Sequence, residues 1–191
     1  MCVDQAIDRK LSCSYSLSIP GHQVYDVHTI IVTCSEIEGK LPAVDLDRLQ
    51  PHAYLTLPGG RLINGPDPEC SLDTLCFLEA VLMSARKVEH IVVCFHTECT
   101  FRNASVVPLF EDRQRAANKH QADESQLLNV QRELTSEISA LRNMCKRNPN
   151  LAKKKLTFHG WLFESEIDWV SFLDQETGLF LPLSANSELC V

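Results

Sequence analysis

The sequence predicts an α/β domain with a mostly parallel central sheet and an added C-terminal hairpin or edge strand. Three observations carry this. Residues 27–33 (VHTIIVT) and 90–95 (HIVVCF) are short β-branched runs with almost no polar alternation, as expected of strands buried on both faces. Helical patterns follow each strand-rich stretch, over residues 71–87 and 124–145. Strands that alternate with helices in this way build parallel sheets, because the helix carries the chain back to the starting edge. Finally, residues 169–173 and 179–183 flank the polar turn Gln175-Glu176-Thr177-Gly178, the pattern of a hairpin.

Each element has its own local cause. Residues 1–25 show no comparable pattern and are read as an N-terminal extension to a domain over 26–191. The first strand delivers Cys34 at its carboxyl end, and a short polar turn (Ser35-Glu36-Ile37-Glu38-Gly39) follows. Residues 43–50 suggest a brief helix stopped by Pro51, and residues 53–57 a strand ended by Pro58-Gly59-Gly60. Ser71 reads as an N-cap, with Leu72, Leu75, Cys76, Leu82 and Met83 on the apolar face of its helix. The strand at 90–95 delivers His96 and Cys99 just past its end. Leu127, Val130, Leu134, Ile138, Leu141 and Cys145 recur every three or four residues and define a long amphipathic helix. Residues 156–163 form the next strand.

Composition excludes several functions. The chain has 191 residues, with 18 Lys+Arg against 25 Asp+Glu and a net charge of −7. The acidic balance argues against nucleic acid as a partner, and the lysines near Pro149 have no interleaved aromatics on which bases could stack. No run approaches the roughly 20 apolar residues of a membrane span, and the start is polar, so no membrane partner and a cytoplasmic location are expected. In that compartment 9 Cys do not form a disulfide framework, and their odd number agrees.

Some of these cysteines are therefore packing residues and some metal ligands. His96 and Cys99 place an imidazole and a thiol three residues apart. Alone, that spacing fits a packed pair equally well. Cys34 changes the balance, because a second buried strand then presents a ligand at the same sheet edge, where α/β proteins hold their ligands. Two thiolates and an imidazole favour Zn²⁺, with a fourth position to be assigned. Cys76, Cys94 and Cys145 are read as core, with Cys94 facing away from the site.

These pieces resemble the beta-class carbonic anhydrases. That family has a strand ending in CxDxR, a glycine-containing turn, a helix SLxxAVxxL, a strand IVVCGHxxCG, a long helix and a closing GW strand before a hairpin. The matching stretches are IIVTCSEIE (30–38), LPGG (57–60), SLDTLCFLEAVLMSARKVEHIVVCFHTEC (71–99), NVQRELTSEISAL (129–141), FHGWLFE (158–164) and ETGLFLPL (176–183). The resemblance implies a three-layer fold, Cys34, His96 and Cys99 as Zn²⁺ ligands, and reversible hydration of carbon dioxide to bicarbonate by a homodimer or a dimer of dimers. It also implies a catalytic carboxylate, which accepts a hydrogen bond from the zinc-bound hydroxide and is held off the metal by an arginine.

Here Glu36 replaces that Asp and Glu38 replaces the Arg. Glu36 can keep the catalytic role or reach the zinc as a fourth ligand, which would give a non-catalytic zinc protein. Arg61 or Arg102 is a candidate replacement cation. Phe95 and Thr100 stand where the family has glycine, so backbone strain is expected at both, and crowding of the site by the Phe95 ring.

Overall fold

The computed structural model describes residues 16–18, 26–37, 41, 51–63, 68–103 and 119–183. Among them, strands β1 (Ser16–Ser18), β2 (Thr29–Cys34), β3 (His52–Leu57), β4 (His90–His96), β5 (Thr157–Glu164), β6 (Trp169–Leu173) and β7 (Phe180–Pro182) form one sheet in the order β1-β3-β2-β4-β5-β6-β7. The four central strands are parallel, and the pairs at either margin are antiparallel. The α/β class, the parallel centre and the C-terminal hairpin (β6–β7) follow the sequence pattern. β1 lies within the stretch read as an N-terminal extension and pairs with β3. The possible helix at 43–50 lies outside the described residues.

Handedness decides which face each connection covers. The steps from β3 to β4 and from β4 to β5 run in one direction across the sheet, so right-handed crossovers put helices α1 (Pro68–Ser84) and α3 (Lys119–Arg147) on one face. The step from β2 to β3 runs the other way, and its described apolar residues Ile37 and Leu41 pack on the opposite face. No helix among the described residues is long and apolar enough to cross a membrane.

The helix-covered face holds the larger core. Ile30, Val32, Leu55, Ile91, Val93 and Phe95 of the sheet pack against Leu78 and Leu82 of α1 and Leu134, Ile138 and Leu141 of α3. Gly160 of β5 lets α3 come close, since a Cβ there would stand 2.5 Å from Ile138 Cδ1. α1 begins at Pro68, earlier than an N-cap at Ser71 allows, and proline suits a first helical turn whose N–H groups have no partner. Its buried face is Phe77, Leu78, Val81, Leu82 and Ala85, whereas Cys76 and Met83 are exposed. The helix is apolar on so many sides that spacing alone did not identify the packed stripe. Its C-terminus is capped by the Lys154 ammonium, which donates to the carbonyl oxygens of Leu82 and Ala85.

The opposite face is smaller and more polar. Ile31, Val92, Cys94, Trp161, Phe163 and Val170 cluster there with Cys34 and Cys99. Cys94 is thus buried core, but on the same side as the proposed ligands. Strand alternation puts residues 92, 94 and 96 on one face and Phe95 on the other.

Candidate metal centre

Parallel pairing brings the carboxyl ends of β2 and β4 side by side, and the chain turns sharply after each. Past β2, the turn Ser35–Ile37 swings Glu36 back over Cys34, and the Glu36 N–H donates to Cys34 Sγ at 3.5 Å. Past β4, Glu98 takes a left-handed conformation (φ 56°), which returns Cys99 toward Cys34. The two sulfurs are 3.8 Å apart, as thiols rather than a disulfide. A third turn, Pro58–Gly60, supports the Cys34 backbone from below. Gly60 (φ +68°) approaches so closely that a Cβ would lie 3.3 Å from both Cys34 N and the Cys94 carbonyl oxygen.

Cys34, Glu36, His96 and Cys99 each contribute one donor atom to a group lying within 4.8 Å of one another. These are the residues singled out from the sequence. His96 Nδ1 faces the Thr97 carbonyl oxygen at 2.7 Å. A carbonyl only accepts, so Nδ1 carries the proton and Nε2 keeps its lone pair toward the group. Among the described residues buried Nε2 has no hydrogen-bond partner, and it stands 3.3 Å from Glu36 Oε2. Glu36 Oε2 is 3.9 Å from Cys34 Sγ.

Two of these separations match those around one small ion. A tetrahedral zinc with Zn–S of about 2.3 Å and Zn–N or Zn–O of about 2.05 Å separates two sulfurs by about 3.8 Å, a nitrogen from an oxygen by about 3.3 Å and a sulfur from an oxygen by about 3.6 Å. The S–S and N–O separations here are 3.8 and 3.3 Å, and the S–O separation is longer, at 3.9 Å. Sharing a hydrogen bond with Cys99, in which Cys34 keeps the proton, and then burial push the Cys34 thiol well up, while the N–H groups of Glu36 and Gly59 pull it down.

Three sequence expectations change. Phe95 does not crowd the site, because its ring is buried in the helix-side core. Thr100 is not strained: the non-glycine residues with positive φ among those described are Glu98 and Asp168. Arg61 pairs with Glu133 of α3 at 2.5 Å, on the helix side of the sheet. Glu38 and the Arg102 side chain lie outside the described residues.

Two residues escaped sequence reasoning. Thr100, the first residue of α2 (Thr100–Asn103), donates its N–H to Glu36 Oε2 at 3.0 Å and its hydroxyl to Oε1. Glu137 of α3 is 1% exposed and accepts from the N–H groups of Leu62 and Ile63 at 2.6 Å, holding the segment that follows the Gly60 turn. A glutamate on the otherwise apolar stripe between Leu134 and Ile138 was the available signal for the second.

No family model and no curated protein sequence matches the chain. Solved structures do. One of two tetrameric beta-carbonic anhydrases from the filamentous ascomycete Sordaria macrospora superposes with a TM-score of 0.52 at 17% identity, covering 84% of each chain. The beta-carbonic anhydrase CafA of the fungal pathogen Aspergillus fumigatus gives 0.52 at 17% identity, covering 78% of this chain and 76% of its own. At this identity the likeness establishes the fold.

Proposed function

From the premise that this chain has the beta-carbonic anhydrase fold, we propose that it is a zinc-dependent carbonic anhydrase of reduced activity that interconverts carbon dioxide and bicarbonate. The observation that carries this reading is the convergence of Cys34, His96 and Cys99 at the carboxyl edge of the parallel sheet, with a carboxylate beside them. When bound, zinc lowers the pKa of a coordinated water to about 7 and so supplies hydroxide at neutral pH.

The protein's own groups supply the rest. Cys34 and Cys99 give up their protons to become ligands, and His96 Nε2 is presented by the hydrogen bond from Nδ1 to Thr97. Glu36 Oε2 is an acceptor at the fourth position, able to orient a water there or take its proton. Two thiolates donate more charge than histidines would, and Glu38 adds an anion where an arginine is expected. The thiolate charge weakens the acidity of a water at this site, which is the ground for proposing reduced activity.

A specific observation also favours the non-catalytic reading. Glu36 Oε2 sits at ligand separation from His96 Nε2, so it can fill the fourth vertex itself and leave no place for water. Stopped-flow hydration of carbon dioxide by the zinc-loaded protein separates the two. The enzyme reading expects a rate above buffer that Cys99→Ser returns to background. It also expects Glu38→Arg to raise the rate about tenfold, the size of effect common for neighbours of metal ligands. A wild-type rate equal to buffer leaves the closed zinc centre.

Assembly follows the same reading: a homodimer or a dimer of dimers, checked by light scattering.

A further inference from the structure

Glu36 needs something to hold it. With no arginine two residues on, a glutamate in a surface turn would sweep through many rotamers, and each would put its oxygens elsewhere. We propose that Thr100 is the positioning residue that latches Glu36, fixing Oε2 at the fourth position of the metal group; this rests on the metal reading above. The latch is two-point. The Thr100 hydroxyl donates to Oε1 and its N–H donates to Oε2, so both carboxylate oxygens are held and the plane of the group is set. The same Oε2 faces His96 Nε2 at 3.3 Å. Glu98, in its left-handed conformation, swings the chain so that Cys99 and Thr100 reach Cys34 and Glu36 respectively. One turn therefore delivers a proposed ligand and the residue that orients another.

The latch makes the fourth position conditional. While Thr100 holds Glu36, Oε2 faces that position; when the hydroxyl is removed, the carboxylate retains one hydrogen bond and can turn away. Thr100→Val keeps the size and the N–H and removes only the hydroxyl. Thr100→Ser restores it.

The test uses cobalt(II) in place of zinc, read by its visible absorption, together with zinc affinity by chelator competition. Wild-type protein is expected to show a thiolate-to-cobalt charge-transfer band and d–d bands with a measurable azide midpoint, because the held Oε2 disfavours an anion at the fourth position. In Thr100→Val the d–d bands should shift at about tenfold lower azide and zinc affinity should fall about tenfold, as is common for groups that orient metal ligands. Thr100→Ser should restore both to within twofold. Thr100→Val with the wild-type affinity and the wild-type azide response overturns the latch alone, since the charge-transfer band still reports the thiolate site. Absence of the charge-transfer band from wild-type protein removes the metal centre and the latch with it.

Discussion

The two faces of the sheet are built on different rules. The helix side is an apolar interlock in which Leu78, Leu82, Leu134 and Leu141 are fully buried. The other side carries Cys34, Cys99 and His96, along with a pair of histidines, His90 and His159, whose ring nitrogens are 3.2 Å apart. Among the described residues it also carries buried polar atoms without a hydrogen-bond partner in the protein, among them Thr33 Oγ1, Thr56 Oγ1, His96 Nε2 and Trp161 Nε1. The helix face holds the larger apolar core and with it the larger share of the burial that stabilises the fold. Stability and chemistry are separated by the thickness of one sheet.

That separation can be broken deliberately. Leu134→Ala on the helix side should cost about 2–5 kcal/mol by urea denaturation, the usual range for emptying a core leucine site, yet leave zinc stoichiometry intact in the folded protein. A loss of zinc binding at unchanged stability would contradict the division. Gly160→Ala should cost about 1–3 kcal/mol by overpacking Ile138, again without a change in metal uptake. Conversely, Cys99→Ser should weaken thiolate-to-cobalt absorption by about half or more while costing metal-free protein no more than about 1–3 kcal/mol, the range for a buried hydroxyl short of partners.

A further expected effect is one of pH. Burial, and then the neighbouring His90, hold His159 down at about 4, against about 6.5 for an unfolded histidine. Between these values the unfolded chain binds a proton that the folded chain refuses. The corresponding stability is whole above about pH 6.5 and is lost as the pH falls toward about 4. Urea midpoints of metal-free wild-type and His159→Gln protein at pH 7 and pH 4.5 should diverge, with the variant the less pH-dependent. Parallel behaviour would remove His159 from the account.

Much of this was legible in the sequence where one residue's neighbours decide its state. The β-branched run of β2, the apolar run that ends at His96 and the helical period from Val130 to Cys145 each depend on local spacing. The group Cys34, Glu36, His96 and Cys99 could be assembled because two strand ends of a parallel sheet share an edge. Reading failed where local pattern was degenerate or a partner was remote. α1 has apolar residues on most sides, so its packed stripe was misplaced and Cys76 assigned to the core. Thr100 and Glu36 are 64 positions apart, and Leu62 and Glu137 are 75 apart. Nothing in either pair announces the other. Thr100 stands where the resembled family has glycine, which suggested strain, whereas the fold gives it a hydrogen-bonding task.

The placement of β2 between β3 and β4 has a kinetic consequence. Cys34 and Cys99 are 65 residues apart in sequence, and their strands become neighbours only after the chain has made β3, crossed back over the sheet as α1 and laid β4 along the free edge of β2. Closing so long a loop is a slow step in folding. The thiol pair therefore comes into being only in molecules that have completed this crossover, and the arrival of thiolate-to-cobalt colour during refolding would time that event directly.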